Sequence, residues 1–313
     1  MRDYGRELRF GVSVAPLAGE VESIRRVVRA ADREGLDLVG IQDHPYQRRF
    51  LDTWTLISTL VPLTERIRFF PDVANLPLRP PAMLAKSAAS LDVISGGRVE
   101  IGLGAGAFWD AVAAMGGPRR SPGEAVRALE EAIRVMRLVW SEERSLRFDG
   151  EFYGLAGMRP GPAPAHPIGV WVGAYGPRML RLIGRLADGW VPSLAYSAPE
   201  RLPEMHDRID GAAREAGREP REITRVYNVE GRIGADGDGP LVGPPEKLAE
   251  ALSGFALESG MDAFVFWPQG PPEEHERQVG RFAGEVAPAV REAVQGERAR
   301  RPGAARTGGG GAK

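Results

Sequence analysis

The sequence predicts an α/β protein built on a parallel sheet, and three observations carry that prediction. Short apolar runs alternate with longer stretches whose apolar residues recur at helical spacing, and eight such pairs follow one another along the chain. Glycine or proline punctuates nearly every junction between them. At 313 residues the chain has the size of one undivided α/β unit. Periodicity alone leaves two architectures open, a closed (β/α)8 barrel and an open, doubly wound sheet.

Each element has its own signal. Residues 8–14 (LRFGVSV) form a first strand. Residues 20–34 read as a helix that places Val21, Ile24, Val27, Val28 and Ala31 on one face and ends at Gly35. A second strand, 38–42, delivers Asp43-His44-Pro45 at its end; helix 53–63 and strand 67–73 follow. Pro80-Pro81 opens the next helix, since proline has no partner to lose in a first turn. Met83, Leu84, Ala88, Leu91 and Ile94 carry its period, and Ser95-Gly96-Gly97 stops it. Strand 99–103 then runs into Gly104-Ala105-Gly106, where the backbone can approach a ligand closely.

Residues 107–123 are irregular and precede helix 124–140. Residues 144–155 alternate around Asp149-Gly150 and read as a β-hairpin outside the repeat. The remaining pairs are strand 168–173 with helix 177–187, strand 189–192 with helix 199–216, strand 223–229 with helix 244–259, and strand 262–267 with helix 272–294. From Gly296 onward the chain is rich in glycine and arginine without apolar period. The expected division is therefore a folded unit over 1–295 and a disordered tail over 296–313.

Composition excludes several classes. The formal net charge is −1, which gives no basis for binding nucleic acid or a membrane surface. There is no cysteine, so disulfides, thiolate catalysis and Cys-ligated zinc are excluded. No apolar run reaches the ~18 residues of a bilayer span, and no basic-then-apolar leader opens the sequence, so the expected location is the cytoplasm. The residues offer no metal-ligand cluster and no Ser/His/Asp grouping.

In a parallel α/β fold, chemistry gathers at the C-terminal ends of the strands. His44 directly follows the second strand, whereas His166, His206 and His275 fall in loops or helices. An imidazole at a barrel mouth can exchange a proton near neutral pH, and Asp43 could orient it or bond a cofactor. The competing reading is a turn whose side chains only cap backbone groups. Gly173-Ala174-Tyr175-Gly176 leads into a helix at Pro177 with Arg178 beside it, a place suited to a phosphate. Tight-turn glycines would serve as well there and at 104–106. Neither segment satisfies G-x-G-x-x-G, so a Rossmann dinucleotide site is unsupported. Tyr46, Phe108, Trp109, Tyr175, Trp190 and Trp267 fall near strand ends and would rim the mouth.

Two blocks carry a family resemblance. NLPLRPPAMLAKSAASLDVISGGRVEIGLGAG (75–106) and GVWVGAYGPRMLRLIGRLADGWVPS (169–193) resemble the bacterial luciferase-like superfamily of flavin- and deazaflavin (F420)-dependent oxidoreductases. The likeness spans roughly residues 8 to 290. It settles the architecture in favour of a (β/α)8 TIM barrel, a single domain with small insertions. It implies His44 and Asp43 beside the cofactor ring as the catalytic pair. It also implies a non-prolyl cis peptide at Asp72–Val73, forming with Ala74 and Asn75 a bulge behind that ring. Gly104, Ala105 and Gly106 would then meet the ring or its ribityl chain, and Gly173, Ala174, Tyr175, Gly176 and Arg178 the phosphate region.

The resemblance further implies a homodimer, for which Leu56, Leu60, Ala85 and Ala89 offer close-packing side chains. One departure stands out: Ala107 replaces the acidic residue that the F420-dependent sugar-phosphate dehydrogenases place after these glycines. Three functional readings follow. The first is an F420-dependent oxidoreductase passing hydride between the deazaflavin and a small organic substrate. The second is an FMN-dependent monooxygenase using oxygen and fed by a separate reductase. The third is a catalytically silent flavin-binding barrel.

Overall fold

A computed structural model describes residues 2–234, 237 and 239–300. Its strands are β1 (Arg9–Val14), β2 (Leu38–Ile41), β3 (Arg68–Pro71), β4 (Ala74–Asn75), β5 (Ile101–Gly104), β6 (Leu146–Asp149), β7 (Gly154–Met158), β8 (Val170–Gly173), β9 (Gly189–Trp190), β10 (Thr224–Ile233), β11 (Val242–Gly243) and β12 (Ala263–Pro268). The helices are α1 (Val21–Arg33), α2 (Thr53–Leu60), α3 (Pro81–Ser95), α4 (Trp109–Ala114), α5 (Pro122–Val139), α6 (Pro177–Leu186), α7 (Leu202–Glu215), α8 (Pro245–Leu257), α9 (Pro272–Arg281) and α10 (Ala287–Ala299).

The apolar runs pair in parallel, in the order β3-β2-β1-β12-β10-β9-β8-β5-β4. Phe69 of β3 bridges to Val99 just before β5 and closes the ring. The result is the expected TIM barrel. Its third position is shared by β3 and β4 on either side of the Asp72–Val73 peptide, which is cis. Strands buried on both faces account for apolar runs without alternation. Leu38, Phe70, Trp171, Val191, Val226, Ala263 and Val265 fill the lumen, with Val73 packed against them. A barrel filled from below leaves its C-terminal mouth as the place for a ligand.

Several expectations are corrected in detail. The single strand expected over 67–73 ends at Pro71, because the chain turns at the cis bond and resumes as β4. The single helix expected over 272–294 is α9, one π turn over Phe282–Val286, and α10. That widened turn lies where Phe282 stacks on Phe266 at 4.7 Å. The irregular stretch contains the six-residue helix α4. The hairpin is β6 and β7, antiparallel and outside the barrel, and it reaches Met158. Glu131 of α5 ties down its turn by accepting backbone N–H bonds from Glu151, Phe152 and Tyr153 at 2.8–3.1 Å.

The expected tail also begins too early, since α10 runs through Ala299 and Arg298 forks onto Asp3 at 2.7 Å. Residues 301–313 of that segment lie outside the described residues. On α3, Leu84, Ala88 and Leu91 are buried as their spacing requires, but Met83 and Ile94 are 61% and 77% exposed. Leu56, Leu60, Ala85 and Ala89, read as packing residues of a dimer, are buried in the chain's own core. Leu56, Leu60 and Ala85 belong to the main apolar cluster and Ala89 is fully buried, so none of the four is left on the surface for a partner subunit.

Candidate active site

β2 ends beneath a pair of residues with separate tasks. Asp43 is 2% exposed and accepts a fork from Arg79, Nε at 2.6 Å and Nη2 at 2.7 Å, plus the Asn75 backbone N–H at 2.9 Å. Both carboxylate oxygens are therefore committed to the chain that follows the cis peptide. Of the two roles open to Asp43, orienting the imidazole or bonding a cofactor, the first has no hydrogen bond to His44 behind it, because the partly buried Arg79 fork holds the carboxylate elsewhere. Its tie from β2 to the bulge fixes where His44 begins.

His44 turns the other way. Its Nδ1 lies 2.7 Å from the Tyr46 hydroxyl, and its ring is flanked by Phe50 and Phe108 at 6.4 and 6.0 Å. Nε2 has no protein partner among the described residues. Burial lowers the imidazole pKa below its ordinary 6.5, against a smaller opposing pull from the Asp43 charge. At neutral pH the ring is uncharged, with one nitrogen engaged and the other available.

The bulge explains two of the glycines. A Cβ at Gly104 would sit 2.7 Å from Val73 Cγ2, and one at Gly173 would sit 3.1 Å from both Val73 methyls. Those positions are small because Val73 lies across them, a packing reason beside the ligand-approach reason the sequence offered. Asp72, one residue earlier, reaches across the lumen. It accepts from Asn228 Nδ2 at 3.0 Å, and burial pushes its carboxyl up to about 6. Asn228 also reaches Ser193 Oγ at 3.3 Å, while its own Oδ1 is buried without a partner.

Three connected spaces surround these residues. A central cavity of about 520 Å³ is bounded by His44, Asp72, Val73, Phe108, Tyr175, Asn228 and Trp267. A smaller one of about 130 Å³ shares His44, Val73, Ala107 and Gly173 with it and adds Asp43, Tyr46, Ala74, Asn75 and Gly104 through Gly106. A third, of about 570 Å³, brings Ala105, Gly106 and Trp109 opposite Gly176, Pro177 and Arg178. The two glycine segments, far apart in sequence, therefore face one cleft. Gly176 caps α6 without a side-chain partner, so the first-turn N–H groups point out beside Arg178.

Two expected site residues fall elsewhere. Trp190 is fully buried, and its Nε1 donates to the Ala174 carbonyl at 2.9 Å. That bond turns both into core, and Ala174 does not line the cavities. The other histidines are structural. His166 sits between Asp92 at 2.9 Å and Glu100 at 3.3 Å, and His206 accepts from buried Arg225 at 2.9 Å. His275 lies 3.0 Å from the Gly270 carbonyl. No group of acidic or histidine side chains among the described residues could hold a metal.

Sequence reasoning missed Ser13, Gln42, Ser193, Tyr196, Asn228 and Glu230, all of which line the central cavity. The available signal was polar Asn228 and Glu230 inside the apolar run of β10.

The mouth of this parallel barrel thus joins a histidine, a cis-peptide bulge and a helix N-terminus around one set of cavities. The chain belongs to the luciferase-like monooxygenase family, which matches residues 7–237. An uncharacterized protein of Mycobacterium tuberculosis is 34% identical over 183 residues, 58% of this chain and 61% of that protein. The chain thus spans about three fifths of that relative's length. An F420-dependent glucose-6-phosphate dehydrogenase of Gordonia bronchialis is 28% identical over 245 residues, 75% of this chain and 71% of that enzyme. In fold, the chain matches an F420-dependent secondary alcohol dehydrogenase solved with an F420-acetone adduct. The TM-score is 0.80 at 18% identity, covering 91% of this chain and 99% of the other.

Proposed function

We propose that this chain is an F420-dependent oxidoreductase acting on a small organic substrate. The single observation that carries the reading is the position of His44, which lines both the central cavity and the glycine-walled space leading toward Arg178. The residues present suit such a cofactor: an aromatic-walled space for a flat ring, and an uncapped helix start with Arg178 for an anionic tail. When bound, the deazaflavin supplies hydride transfer. The chain's own residues position it and handle the proton. Val73 and its glycines give the bulge one face, while Tyr46 fixes the His44 ring and leaves Nε2 to accept or donate.

The family match itself favours a second reading, a monooxygenase using reduced FMN and a partner reductase. The chain acts in the cytoplasm as a homodimer through α3, where Met83, Val93 and Ile94 are exposed. No helix among the described residues is long and apolar enough to cross a membrane.

The test is His44→Ala and His44→Asn, with kcat and F420 affinity measured on a substrate found by screening. Both should bind the cofactor nearly as well as wild type and lose ~10²-fold or more in turnover, the scale of a lost general acid/base. Wild-type turnover in His44→Asn would reduce His44 to a positioning role, and full activity in both would refute the assignment.

A further inference from the structure

A further cavity, of about 240 Å³, lies between the ends of β1 and β12 and the helices α1 and α9. Ala15, Leu17, Ile24, Val27, Pro268 and Pro272 give it an apolar wall. The two helices that bound it are tied together, Ser23 Oγ donating to the Pro272 carbonyl at 3.3 Å and Arg26 pairing with Glu276 at 3.6 Å. Polar side chains of the lining are turned to the backbone, Ser23 in that bond and His275 with Nε2 3.0 Å from the Gly270 carbonyl. Glu20, the one carboxylate of the lining, is partly exposed just before α1. An apolar cavity of about 150 Å³ suffices to take up benzene, so this one has room for an aryl ring or a short alkyl chain.

Ser13 and Trp267 line both this cavity and the central one. Ser13 is small, so the indole of Trp267 is the partition between the two spaces. Other indoles of the chain are anchored: Trp140 and Trp190 donate to the Ala85 and Ala174 carbonyls at 2.9 Å, and Trp171 packs on Phe70 at 5.1 Å. Trp267 is only partly buried and makes neither a hydrogen bond nor a ring contact with any described residue. A ring held by nothing at a partition can change rotamer and let a chain through. The strand order also separates this partition from the residues assigned to the cofactor. Those belong to the sector of β3, β4, β5 and α6, the partition stands at β1 and β12, and His44 lies between them at the end of β2.

We propose that the side cavity receives the apolar tail of the substrate, an alkyl chain or aryl ring, and that Trp267 turns aside to admit it. Trp267 is then a specificity-determining residue. Calling the ligand the substrate rests on the F420 reading; an apolar annex behind Trp267 rests on the two cavities alone.

Straight-chain primary alcohols from 1-butanol to 1-decanol test this by calorimetry, on cofactor-free and on F420-loaded protein. Affinity should rise about 4-fold per methylene along the series, the step that burial of one CH₂ group confers. Ala15→Phe, which fills the annex, should leave 1-butanol binding unchanged and so show itself folded. The same variant should hold 1-decanol at least ~10-fold below its wild-type affinity. Should it not fold, Ser23→Phe fills the same space from α1. Trp267→Ala should keep the full rise, because nothing then stands in the way.

A wild-type series that stops rising at short chains and resumes in Trp267→Ala would make Trp267 a fixed wall and overturn the proposal. Equal binding of 1-decanol to wild type and to the filled variant would overturn it too. An effect of Ala15→Phe seen without F420 and absent with it would overturn the assignment of the annex to the substrate. Failure of F420 to bind while that effect persists would overturn the cofactor reading and leave the annex standing.

Discussion

Replacing Asp72 by Asn should stabilise the cofactor-free protein, and only at the pH where the carboxyl is charged. Burial raises this group from an ordinary 3.8 to about 6. Between those values the folded protein keeps a proton that the unfolded chain has released, so stability falls as pH rises through the window. Above it the cost is complete. At about 1.4 kcal/mol per pKa unit, ionising Asp72 in place costs at most about 3 kcal/mol, a ceiling because the carboxyl keeps some contact with the cavity. Asparagine has nearly the same shape and can still accept from Asn228, but it never ionises.

Urea unfolding of both proteins across pH 4 to 8 reads the difference directly. The two should coincide near pH 4 and diverge until the variant leads by roughly 2–3 kcal/mol at pH 7.5. A gap that does not change with pH, or a variant less stable than wild type at pH 8, would refute the reasoning.

Three further outcomes follow from the same geometry. Arg79→Ala strips the fork from Asp43 and leaves a buried carboxylate unpaired, so unfolding measurements should show a loss of about 3–5 kcal/mol. A loss below ~1 kcal/mol would mean that water replaces the guanidinium. For any reaction that needs uncharged His44, kcat/KM should fall on the acid side through a pKa below 6.5, the direction in which burial moves the ring. An acid limb above that value would show the site favouring the charged form. Ile94→Glu, placed on the exposed face of α3, should convert a dimer into monomer by light scattering. Unchanged mass would move the interface elsewhere.

The alternation of strands and helices was legible because parallel strands and amphipathic helices write different periods, with glycine or proline at the joints, whereas the choice of a barrel over an open sheet rested on the family resemblance. Boundaries failed where tertiary contacts override period. The π turn at Phe282 and the break at Asp72–Val73 are set by what the side chains meet across the fold. His44 drew notice because it falls just past the end of the second strand. The Asp43–Arg79 fork was not legible because Arg79 is 36 residues away and nothing local announces it. Exposure misled in the same way on α3: Ala85 and Met83 carry similar local signals, but only the packed helix shows that Ala85 faces the core and Met83 solvent. The lumen floor was the least legible part. Asp72 and Ser193 follow the ends of β3 and β9, Asn228 lies within β10, and the three meet only when the ring closes.

The central claim is tested most directly by titrating purified, cofactor-free protein with F420 and with FMN, following cofactor fluorescence for both wild type and Arg178→Ala. The account predicts that F420 binds more tightly than FMN and that the variant weakens F420 binding by about 10-fold or more, as a lost charge-assisted contact to an anionic tail should. Tight binding of FMN with none of F420 would contradict it.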